Sequence, residues 1–68
     1  MLKKGYVISS GWDGMFRKYE RAEKKAKEIA KKRGWVVAIF WVEYKDKLLI
    51  TKEKVAIVYW DGKVVKLK

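Results

Sequence analysis

Cysteine, histidine, proline, asparagine and glutamine are all missing from these 68 residues. Each absence excludes something. Without cysteine no disulfide can brace so short a chain, and its redox compartment leaves no trace. Without histidine the commonest metal ligand and the easiest general base are gone. Scarcity of Asn, Gln and Cys beside abundant Lys, Glu, Val and Ile is the compositional bias of hyperthermophile proteins. A designed sequence would show the same poverty of types. Long apolar runs are lacking too. The longest, Trp35 to Val42, spans eight residues before Glu43 ends the stretch soon after, far short of a membrane span. Met1-Leu2-Lys3-Lys4-Gly5 leads into no apolar segment of signal-peptide type, so the sequence predicts a cytoplasmic protein.

Catalysis has little to work with. Nucleophile–base pairs would have to come from Ser9, Ser10 or lysines. Of the eight carboxylates, Asp13, Asp46, Glu53 and Asp61 fall at expected turns, and Glu20, Glu23 and Glu28 in helix ion pairs. Glu43 alone is left on a sheet face, and one carboxylate is not an acid–base pair. The expectation is a protein that is not an enzyme and uses no metal or cofactor.

What is present is a pattern for one α+β domain. Arg21 to Arg33 reads as a helix, with Ala22, Ala26, Ile29 and Ala30 recurring at three- and four-residue steps. Lys31, Lys32 and Arg33 suit its last turn and Gly34 its end. Glu20 with Lys24, Glu23 with Lys27 and Glu28 with Lys32 offer supporting pairs. The mostly alanine stripe predicts a helix lying close to its sheet.

Beyond the helix, three turns predict a four-strand meander. Trp60-Asp61-Gly62-Lys63 is read as a two-residue hairpin pairing Trp60 with Lys63 and Val58 with Val65. Two further tight turns, without glycine, are read at Lys52-Glu53 and Lys45-Asp46. These registers gather Val36, Ala38, Phe40, Val42, Tyr44, Leu49, Thr51, Ala56, Val58, Trp60, Val65 and Leu67 on one face, the expected core. The opposite face gathers Val37, Ile39, Trp41, Glu43, Leu48, Ile50, Val55, Ile57, Tyr59, Val64, Lys66 and Lys68. Before the helix, Trp12-Asp13-Gly14 is read as another hairpin, joining strands Tyr6–Trp12 and Met15–Tyr19. In a rival reading Asp13 caps a longer helix. The expected order is β-β-α-β-β-β-β, or β-α-β-β-β-β if residues 13–19 are helical, and either edge of the meander can take the N-terminal strands. One helix covers one face of an antiparallel sheet and leaves the other uncovered.

Charge is the main functional clue. The net charge is +10, with 11 basic and 4 acidic side chains in residues 1–34 against 7 and 4 in residues 35–68. That surplus predicts attraction to a polyanion, nucleic acid above all, whether DNA or RNA. Arg17, Lys18, Arg21, Lys24, Lys25, Lys31, Lys32, Arg33, Lys66 and Lys68 are the expected phosphate contacts. The plainer reading is that lysines solvate the helix, but mixed charge would do that without so large a surplus. Ile39, Trp41, Ile50, Ile57 and Tyr59 form the expected uncovered patch. It suits a homodimer interface or, through its aromatics, a base-stacking surface. Gly11-Trp12-Asp13-Gly14 is too short a glycine motif to mark a phosphate loop, and Asp13 would repel phosphate.

Overall fold

The computed structural model describes residues 2–9 and 14–67. Five elements follow in the order β1 (Leu2–Ile8), α1 (Tyr19–Arg33), β2 (Val37–Lys45), β3 (Leu48–Val58) and β4 (Val64–Lys66). The strands form one antiparallel sheet in the order β1-β2-β3-β4, and α1 packs on one side of it. The α+β class and the single covering helix are as the sequence predicts. β1 joins the β2 edge.

The helix forms where its alanines predict, starting two residues earlier. Ala22, Ala26 and Ala30 are fully buried at successive four-residue steps. Their small side chains let the backbone approach Val37, Ile39, Ala56 and Val58, the fully buried sheet residues beneath. Gly34 ends the helix in the left-handed region (φ 68°), its N–H donating to the Ala30 carbonyl at 2.8 Å. Glu23 pairs with Lys27 at 3.2 Å as expected, whereas Glu28 pairs with Lys25 at 3.8 Å.

The sheet differs from the expected meander in strand number and in face. No turn forms at Lys52-Glu53, and β3 runs through it as one 11-residue strand. Its pairing with β2 slips twice instead. Ile39 faces Ala56 while Phe40 faces Lys54, so Val55 is an extra residue. Glu43 faces Thr51 while Tyr44 faces Leu49, so Ile50 is another. These β-bulges change which side chains share a side. Both neighbouring hairpins also close one residue away from the predicted tips. Lys45 pairs with Leu48 around Asp46-Lys47, with Asp46 at φ 57°. Tyr59 N–H donates to the Lys63 carbonyl at 2.8 Å around Trp60-Asp61-Gly62, with Gly62 at φ 92°. That loop has three residues rather than two, and it pairs Val58 with Val64.

The faces are therefore exchanged for most of the sheet. Val37, Ile39, Trp41, Glu43, Val64 and Lys66 lie on the helix side with Ala56 and Val58. The opposite, outer face carries the cross-strand rows Val7–Phe40–Lys54, Gly5–Val42–Lys52, Lys3–Tyr44–Leu49 and Ala38–Ile57–Val65. Glu43 and Lys66 share the helix side with the core. A 15-residue helix is only about 22 Å long, and both charges escape burial around it. Glu43 accepts a hydrogen bond from Trp41 Nε1 (3.2 Å), and the Lys66 ammonium stands over the Tyr19 ring.

The segment before the helix forms neither a strand over Met15–Tyr19 nor an early helix. Phe16 alone bridges the free edge of β1, exchanging two 2.8 Å backbone hydrogen bonds with Tyr6. Of the predicted Asp13-Gly14 tip, Asp13 lies outside the described residues, as does Trp12 before it. Met15 then lies across Gly5 on the outer face. A Cβ at Gly5 would meet Met15 Cγ at 2.4 Å and the Phe16 carbonyl at 2.9 Å. Val42, paired with Gly5, is 1% exposed there, so the outer face has a small buried spot of its own.

Candidate nucleic-acid interface

Helix geometry sorts the basic residues. With the alanine stripe turned to the sheet, Arg21, Lys25, Glu28 and Lys32 share one flank, Glu20, Glu23, Lys27 and Lys31 share the other, and Lys24 stands between them on the outer side. The first flank borders the β1 edge. Phe16, bridged to β1, lines a shallow groove with Arg21, Lys24, Lys25 and Glu28. Glu20 and Glu23 line a separate depression with Lys24 and Lys27. The helix thus shows a mainly cationic flank toward β1 and a mixed flank away from it.

The cationic flank extends in both directions. Arg17, exposed ahead of the helix, lines a hollow with Leu2, Lys3, Lys4, Met15 and Trp41. Lys18 is exposed at the helix start, where its side chain makes no capping bond. Lys31, Lys32 and Arg33 are exposed in the last turn, the Arg33 guanidinium 5.3 Å from the Trp35 ring centroid. Lys66 stands apart on β4, 5.3 Å over Tyr19. Lys68 lies outside the described residues. Most of the expected phosphate contacts are thus brought together, and Lys66 is not among them.

The expected uncovered patch does not hold together. Ile39 is fully buried beneath the helix, because the exchanged faces put it in the core. Trp41 is half-buried on the same side, its ring edge-on to Tyr6 at 5.0 Å. Ile50 is exposed at the second bulge. Ile57 is half-buried on the outer face, and Tyr59 is half-buried in the last hairpin, 6.0 Å from Trp60.

The outer face carries what that reading missed. Phe40 sits in its middle, with the Lys52 and Lys54 ammoniums 4.7 and 5.9 Å from its ring centroid. Only knowledge of the bulges would have placed these three side by side.

Among the described residues, Tyr19 is the group whose titration is clearly displaced. Its hydroxyl is shut off from water, and the Glu23 carboxylate is its neighbouring acceptor, though outside good hydrogen-bonding geometry. Burial raises its pKa above the ordinary 10.0, and the neighbouring Glu23 charge raises it further. It borders an open cleft with Tyr6, Val55 and Lys66. Among the described residues no cluster of three or more Asp, Glu, His or Cys side chains is placed to hold a metal ion. Nor is any described helix long and apolar enough to cross a membrane. No family model, curated protein or solved structure matches this chain.

Proposed function

We propose that this protein binds nucleic acid without catalysis, through the cationic flank of α1 and the adjoining β1 edge. The observation that carries this reading is the segregation of charge on the helix. Arg21, Lys25 and Lys32 gather on one flank with Glu28 as its lone acid, Lys24 borders it, and Arg17, Lys3 and Lys4 continue the field. Solvation alone would not require acids and bases to be sorted by side. A sorted field attracts phosphates and releases counterions when they bind. Contacts of this kind are to the backbone and carry no sequence information.

The test is anisotropy of a labelled oligonucleotide titrated across a range of salt. Reversing exposed Arg21, Lys24 and Lys32 to Glu should weaken binding at least tenfold. It should also flatten the log–log salt slope by about 2–3, as expected for three lost phosphate contacts. Unchanged affinity in a folded triple variant would sink the assignment.

A homodimer joined through the outer sheet face is the second reading. In its favour, no described element packs on that face, which holds Val7, Ala38, Ile57 and Val65. Against it, Lys3, Lys52 and Lys54 share the face and would meet their own copies. A mass measurement in solution separates the two readings.

A further inference from the structure

The sheet alternation also sorts the strand charges by side. Glu43 and Glu53 fall on the helix side with Lys4, Lys45 and Lys66. On the outer face the strand charges are Lys3, Lys52 and Lys54, with no carboxylate in any of its rows. The bulge at Val55 is responsible. In an unbroken strand Lys54 and Lys52 would share the side of Ala56, and Glu53 would face outward. The bulge thus removes one carboxylate from the outer face and delivers two ammoniums to the flanks of Phe40.

We infer that the outer sheet face is a platform for single-stranded nucleic acid, with Phe40 stacking on a base and Lys52, Lys54 and Lys3 meeting the flanking phosphates. The inference rests on the nucleic-acid reading above and names its substrate class. Single strands are favoured because only an unpaired base offers its π-face to a ring on a flat sheet. Charge complementarity chooses the occupant. A second copy would bring two all-cationic faces together and bury like charges without partners. A polyanion with aromatic bases matches both the lysines and the ring.

The unliganded geometry suits such an exchange. Lys52 and Lys54 are exposed and hold their ammoniums over the Phe40 ring. An exposed cation–π contact is weaker than a base stack. An arriving base would displace the ammoniums from the ring, and their flexible stems would let them swing to phosphates on either side. Tyr44, two rows further along β2 beyond Val42, offers a second ring for another base of the same strand.

The experiment compares a labelled single-stranded oligothymidylate with a duplex, by anisotropy at physiological salt. Phe40→Leu keeps the apolar bulk but removes the stacking ring, and thermal melting checks that the variant folds. It should weaken single-strand binding on the order of tenfold, leave duplex binding unchanged, and be rescued by Phe40→Trp. The Arg21, Lys24 and Lys32 reversal should weaken both ligands. Equal single-strand affinity for folded Phe40→Leu and the native protein would overturn the platform while leaving the cationic flank standing. No binding of either ligand by the native protein would overturn the nucleic-acid reading and this inference with it. A salt-stable dimer that binds no single strand would assign the face to a second copy.

Discussion

Gly5 shows how one atom can set a local arrangement. Its bare Cα lets Met15 and the Phe16 bridge close over the edge of β1. A Cβ there would press on a flexible side chain at 2.4 Å and on a fixed backbone carbonyl at 2.9 Å. Gly5→Ala should therefore cost about 1–3 kcal/mol, the range for overpacking. Adding Met15→Ala should recover only part of the loss, because the Phe16 carbonyl remains. Chemical denaturation of the three variants measures this, and full recovery would show that the carbonyl yields freely. Tyr19 makes a different kind of residue-scale prediction. Its raised pKa means the folded state holds the phenolic proton more tightly than the unfolded chain does. The associated stability is present below pH 10 and is lost as pH rises through the folded-state pKa. Tyr19→Phe should abolish that share of the alkaline loss. At neutral pH the change should stay within about 1 kcal/mol, since the enclosed hydroxyl has only Glu23 beside it and in poor hydrogen-bonding geometry. A larger neutral-pH loss of stability would mean that the hydroxyl bonds Glu23 firmly in solution.

At the scale of elements, the helix was legible in the sequence and the sheet only partly so. Ala22, Ala26 and Ala30 announce their buried stripe because helical periodicity tolerates no slippage and Gly34 marks the end. The cationic flank was legible for the same reason, since fixing the stripe fixes which basic residues lie beside it. Strands carry no such safeguard. A one-residue slip exchanges every side chain between faces. In β3, Lys52-Glu53 has the composition of a turn, while the bulges at Val55 and Ile50 leave no mark that composition reveals. The uncovered face was therefore foreseen, but of its expected residues only Ile57 lies in its cross-strand rows. A pair of substitutions tests the assignment directly. Ile39→Lys should unfold the domain, because it buries a charge beneath the helix where Ile39 is fully enclosed. Phe40→Lys, one residue on, should fold, because Phe40 is half-buried on the outer face. Under the expected pairing the outcomes would be reversed, so circular dichroism of the two variants decides between the registers. Ala26→Arg should also unfold the domain by forcing the helix off the sheet.

For the whole molecule the governing quantity is a charge of +10 on a body whose extents are 38 × 23 × 16 Å. The Debye length is about 30 Å at 0.01 M salt and about 8 Å at 0.15 M. In dilute buffer, then, most of the 18 cations lie within one screening length of one another, whereas at physiological salt only near neighbours interact. Self-repulsion of this kind opposes the compact state, because unfolding separates the charges. The melting temperature should consequently rise as salt is added from 0.01 to 0.15 M, a range in which specific ion effects are small. Reversal of Arg21, Lys24 and Lys32 to Glu removes two charges at each position and brings the net to +4. That variant should melt higher than the native protein in dilute buffer and respond less to salt, while binding nucleic acid more weakly. Opposite movement of stability and affinity is the signature of a charge surplus retained for a ligand. If the reversal instead lowered the melting temperature at every salt concentration, those three cations would be making stabilising contacts within the fold. A polyanion offers the complementary check. Binding only the folded state, it should raise the native melting temperature in proportion to the logarithm of its concentration once above its Kd. The same titration should move the reversed variant far less, and an equal shift in both would place the bound polyanion elsewhere than on the helix flank.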